Sequence, residues 1–235
     1  MAYGDISFMI PYALGGISPA LAAFIALGKP SARELGKQLF KYRISIGWYA
    51  GIVGTPLVIN GVAWVINRLV TGSASPFLEK PVYRAFFVLP LMIIGGGLEE
   101  IGWRGVLLPE LLRKMPAWKA TLVVSLVWGI WHLPLWFIPG VAQQGSNFAW
   151  FMVNIVSVST LLTILYLGTR SVFACLIFHA LGNAYVSIGL NAWPVTPFSR
   201  LISVALSLII PIIIFYVSRP LARYPPDKTE NHSKI

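Results

Sequence analysis

Acidic residues and cysteine are what this chain has least of: eight Asp and Glu and one cysteine in 235 residues. A lone Cys175 excludes a disulfide framework and a thiolate metal site. Aspartate occurs only at Asp5 and Asp227, so no pair of membrane-embedded aspartates is available. No His-Glu-x-x-His run occurs, which removes the helix that would present two histidines to zinc. Gly-x-Ser-Gly is also absent, which counts against an intramembrane serine nucleophile. No Lys or Arg precedes Lys29, so the N-terminus lacks the basic region of a cleaved signal peptide, and the first apolar run is expected to stay in the mature protein.

What remains is apolar. Hydrophobic residues make up 57% of the chain and charged ones 11%, far below the quarter or so usual in soluble domains, and the mean hydropathy is +0.74. These values describe a polytopic membrane protein. A net charge of +10 raises the question of nucleic acid, but the basic residues sit in short segments between apolar runs and form no stripe, so no nucleic-acid partner is expected. They read as topology signals.

Seven runs have the length to span a hydrocarbon core of about 30 Å: residues 6–27, 44–70, 82 to about 109–114, 118–138, 148–167, 172–190 and 201–217. Between the first two, Leu35, Leu39 and Phe40 fall on one face and Arg33, Lys37 and Lys41 on another, which predicts a basic amphipathic interfacial helix over residues 31–43. Residues 71–76 form a polar loop, and Gly168 to Arg170 a tight turn between the fifth and sixth spans. With the N-terminus outside, 13 of the 18 Lys and Arg fall in inside segments, four fall outside, and Arg104 lies within a span. That bias predicts an N-out, C-in multi-pass protein. The fold class expected is all-α, with one transmembrane domain over residues 1–218 and a polar, disordered cytoplasmic tail over 219–235. No internal repeat suggests a transporter built from two matched halves.

Charge inside a span is costly unless paired, and Glu99, Glu100 and Arg104 follow directly on the apolar stretch from Val82 to Gly97. On a helix Glu100 and Arg104 share a face, while Glu99 is turned about 100° from Glu100. One carboxylate can be held and the other left free.

The other ionisable groups in spans are His132 and His179. Trp128 lies one turn before His132 and can buttress its ring; Pro134 frees backbone carbonyls and lets that helix bend around a polar cavity. His179 and Asn183 project together from one face, with Ala180 and Gly182 small enough for close helix approach. Each histidine alone is as well explained by an interhelical hydrogen bond. Together the groups supply hydrolysis: a carboxylate and an imidazole to activate water, and an imidazole and an amide to stabilise an oxyanion.

Glu99-Glu100-x-x-x-Arg104, Trp128-x-x-x-His132 and His179-x-x-x-Asn183, in this order on successive apolar helices, resemble the three motifs of the CAAX protease and bacteriocin-processing (CPBP, or Abi) family of intramembrane glutamyl endopeptidases. The resemblance implies that Glu99 is the general base, that His132 shares its water, that His179 and Asn183 form the oxyanion pair, and that Glu100, Arg104 and Trp128 support the site. It implies no metal and no cofactor. The implied substrate is a lipidated or membrane-associated peptide in the bilayer, and the implied location is a prokaryotic cell membrane. Eukaryotic members remove three residues from prenylated Cys-a-a-X tails; prokaryotic members are also linked to peptide maturation, bacteriocin self-immunity and signalling. Two departures stand out. Trp128 replaces the usual Phe, and the chain opens near what looks like the family's second span, Gly16 to Leu21, leaving open whether a first helix is missing. The rival readings are a non-catalytic peptide-binding or bacteriocin-immunity protein, a zinc protease using His132, His179 and Glu99, and a proton-coupled transporter.

Overall fold

The computed structural model describes residues 6–141, 143–190 and 197–217. Among them every regular element is helical. The helices are α1 (Ile6–Ala26), α2 (Lys29–Leu39), α3 (Ile46–Thr71), α4 (Tyr83–Leu112), α5 (Ala117–Trp131), α6 (Phe148–Thr169), α7 (Val172–Ser187) and α8 (Pro197–Val217). The expected tail lies outside the described residues, as does His232.

Seven apolar helices stand where seven runs were read, but only four are long and apolar enough to cross a membrane among the described residues: α3, α4, the stretch Ala117–Phe137 and α6. The described apolar parts of α1, α7 and α8 are shorter. For α7 the reason is visible. At 16 residues it is about 24 Å long, and it starts inside the bundle, with Val172, Ala174 and Cys175 fully buried. Its cap, Ser171, accepts from Ala174 N–H and donates its hydroxyl to the Lys41 carbonyl at 2.6 Å, so the end of the α2 segment roofs it over.

The amphipathic helix forms over Lys29–Leu39, ending four residues before the expected 43, and its apolar face is turned inward. Leu35 is buried against Gly105 of α4 while the Lys37 side chain stays 66% exposed; Phe40, just beyond the helix, is 81% exposed. The tight turn is shorter than expected. Helix α6 runs on through Gly168 and Thr169, and only Arg170, in the left-handed region at φ 51°, reverses the chain. Gly168 serves close packing: a Cβ there would collide with the Trp48 ring.

Helix α4 is not regular. At Ile93–Gly97 and again at Trp103–Leu107 it widens into π-helical turns, with Leu98 N–H reaching back five residues to the Ile93 carbonyl at 2.9 Å. Such insertions are frequent at functional sites, and each rotates the helix beyond it by about 100°. The short regular turn Glu99–Gly102 lies between them. Helix α5 ends as Pro134 suggested, with His132 as its C-cap and a 3₁₀ turn over Leu133–Phe137. Large apolar side chains such as Phe86, Phe87, Leu126 and Ile130 are exposed around the bundle, as a lipid-facing surface requires.

Candidate active site

Helices α4, α5, α6 and α7 enclose a cavity of about 760 Å³, closed in addition by parts of α1, α3 and α8. Glu99, Trp128, His132, His179 and Asn183 all line it; Glu100 and Arg104 do not. The 100° between adjacent carboxylates has sent one into the cavity and one into the packing.

The buried carboxylate is Glu100, which is fully inaccessible. Its oxygens take the Arg104 Nη1 donor at 3.0–3.1 Å and face His179 Nδ1 at 2.9 Å. Arg104, also fully buried, donates Nη2 to Ser159 Oγ at 2.9 Å and sets its guanidinium carbon 4.8 Å from the centre of the Trp128 ring. An unpaired charge here would be severely destabilising, so the i,i+4 pair is a requirement of burial as much as of helix geometry. The expectation that Arg104 holds a carboxylate is met at Glu100. Ser159 was not foreseen, because a serine 55 residues away in an apolar helix carries no local signal.

Among the described residues Glu99 makes no ion pair within contact distance. Its Oε2 accepts the Trp128 indole N–H at 2.6 Å, and Trp103 Nε1 stands 3.5 Å from the same atom. Trp128 was expected to buttress His132, and its ring does lie edge-on to that imidazole at 5.8 Å. Its bond to Glu99 and its contact with His179 at 5.2 Å were not legible. Trp103 and Phe151 were also missed; Phe151 lies 5.1 Å from the His132 ring.

His132 Nδ1 lies 2.8 Å from the Trp128 carbonyl. A carbonyl can only accept, so Nδ1 carries the proton and the neutral ring keeps a bare Nε2. His132 is thereby arranged to hold or deprotonate water. His179 is oriented by Glu100 at Nδ1, which leaves Nε2 as its outward atom. Asn183, one turn on, converges with it: a Cβ on Gly96 would lie 2.5 Å from Asn183 Nδ2 and 3.2 Å from His179 Nε2. Both nitrogens therefore address one small space that exists because residue 96 is glycine. The signal available in the sequence was the run Gly95-Gly96-Gly97. Gly182, expected to admit a neighbouring helix, instead borders the cavity, with nothing within 4 Å of where its Cβ would be. Among the described residues no three His, Cys, Asp or Glu side chains converge as a metal site.

Residues 80–185 match the family described as type II CAAX prenyl endopeptidase Rce1-like. Over 103 residues the chain is 30% identical to the CAAX prenyl protease 2 of Methanococcus maripaludis, an alignment covering 41% of this chain and 38% of that protein. All three motifs fall inside the matched stretch, which is similar to the family to which those motifs pointed. It is a multi-pass helical membrane protein.

Proposed function

We propose that the cavity is the active site of an intramembrane endopeptidase that hydrolyses peptide bonds of lipidated or otherwise membrane-associated peptides. The observation that carries this is the division of labour in the acidic pair: Glu99 faces the cavity beside His132, His179 and Asn183, while Glu100 and Arg104 are packed behind.

In this reading Glu99 is the general base. A water held between its carboxylate and His132 Nε2 gives up a proton as its oxygen adds to the scissile carbonyl carbon. The carbonyl oxygen becomes an oxyanion, met by Asn183 Nδ2–H and His179 Nε2–H in the space over Gly96. For Nε2 to donate while Nδ1–H is given to Glu100, the His179 ring must hold both protons, and the adjacent Glu100 carboxylate favours that. The C–N bond then breaks, and the proton taken from water passes to the departing amine nitrogen. The products are a carboxylic acid and an amine. No step needs a metal. The loop-charge bias supports an N-out, C-in orientation, and a substrate already partitioned into the bilayer reaches such a site most easily.

The test is cleavage of a lipidated reporter-peptide library by purified protein in liposomes, comparing wild type with Glu99→Gln, with and without chelator. Cleavage lost in Glu99→Gln and indifferent to chelator supports the proposal. Loss on chelation supports the zinc reading, and folded wild-type protein that binds peptides but cuts none supports a binding or immunity role.

A further inference from the structure

Trp128 occupies a position where a ring alone was expected, and it engages four functional groups with different parts of itself. It is 2% exposed. Its carbonyl fixes the His132 proton on Nδ1 at 2.8 Å. Its ring lies edge-on to His132 and His179 and 4.8 Å from the Arg104 guanidinium carbon. Its indole N–H is committed to Glu99 Oε2 at 2.6 Å.

That last bond answers a problem the rest of the site leaves open. A glutamate side chain has three torsions, and the last is broad, so an unrestrained carboxylate samples many orientations. Glu100 is held by a guanidinium and an imidazole. For Glu99 the restraint comes from indoles: Trp128, 29 residues away on α5, and at longer range Trp103, one turn along α4. Both donors address the same oxygen. Oε1 is thus the oxygen left for a water. The phenylalanine expected from the resemblance would fill the wall and pack on the imidazoles, yet it has no N–H to give.

We propose that Trp128 is a positioning residue for the hydrolysis: its indole N–H, assisted by Trp103, fixes the Glu99 carboxylate through Oε2 and directs Oε1 to the water. The proposal rests on the endopeptidase reading. It predicts that removing the N–H while keeping the fused rings lowers turnover without weakening substrate binding.

The experiment places 3-benzothienylalanine, in which sulfur replaces the indole N–H, at position 128 of the full chain in nanodiscs. It runs beside wild type, Trp128→Phe, Trp103→Phe and Glu99→Gln. The first readout needs no turnover. In indole-15N-labelled protein the Trp128 N–H resonance, identified by its loss in Trp128→Phe, is expected downfield of an unbonded indole and to move upfield in Glu99→Gln. The second is kinetics on a lipidated peptide that wild type cleaves. A hydrogen bond to a charged group corresponds to about a 10- to 100-fold fall in kcat for the benzothienyl protein, with KM within about twofold. Trp103→Phe should fall less. An unshifted indole resonance indifferent to Glu99→Gln overturns the proposal, and so does an isostere that turns over at the wild-type rate. A resonance that responds to Glu99→Gln in a wild type that cleaves nothing overturns the endopeptidase reading and leaves the indole restraint on Glu99 supported.

Discussion

Helix α4 and the residue that caps it carry two Glu–Arg pairs, and their contrast gives a sharp test of what burial does to charge. Glu110 and Arg113 meet at 2.8 Å with side chains 49% and 47% exposed. Glu100 and Arg104 meet at 3.0 Å with both side chains fully buried. Contact distance alone would rank the two pairs alike. The exposed pair is solvated whether or not its partner is present, so Arg113→Met should cost about 0–1 kcal/mol. Arg104→Met leaves the buried Glu100 carboxylate with His179 alone, removes the donor to Ser159 Oγ and withdraws the cation from the Trp128 face. Breaking one side of a buried pair costs about 3–5 kcal/mol. The double variant Glu100→Gln/Arg104→Met, which removes the carboxylate along with the guanidinium, should recover much of that loss, giving a coupling of more than about 1 kcal/mol. Reversible unfolding in mixed micelles, followed by tryptophan fluorescence on all variants, measures these differences. An Arg104→Met loss no larger than that of Arg113→Met would refute the reasoning, because it would mean that His179 or water suffices to hold the buried Glu100 carboxylate.

Three further outcomes follow from single positions. Gly96→Ala puts a methyl 2.5 Å from Asn183 Nδ2 and should lower kcat about 100-fold, the scale of losing one oxyanion donor, while Gly95→Ala, which meets nothing within 4 Å, should keep the fold and be far milder in the same peptide assay. Ser171→Ala removes both the α7 cap and the bond to Lys41, and unfolding should show a loss of about 1–2 kcal/mol. Single cysteines at Lys37 and Lys80, in a Cys175→Ala background, should be labelled by impermeant maleimide from opposite faces of oriented vesicles; labelling from one face would refute the N-out, C-in arrangement.

Sequence reasoning went furthest where one helix carries the whole argument. Glu99, Glu100 and Arg104 lie within six residues, so the period of the helix already separated the two carboxylates and paired the second with the guanidinium. The same holds for Trp128 with His132 and for His179 with Asn183, and for the bend at Pro134. It fell short at Gly168, read as a turn residue, because the reason for that glycine is the Trp48 ring on another helix. It also could not see the two π-helical turns of α4.

Composition, hydropathy and loop charge by themselves determined a helical membrane protein, and motif order pointed to the family it resembles, because each depends on residue type and on spacing within one helix. Which donor meets which acceptor was decided only by tertiary structure. Glu99 finds Trp128 29 residues on, Arg104 finds Ser159 after 55, and Glu100 finds His179 after 79. Those pairings depend on the depth and tilt at which separate helices pack, set by the α2 strut over α7 and the widened turns of α4, and no period along the chain encodes them.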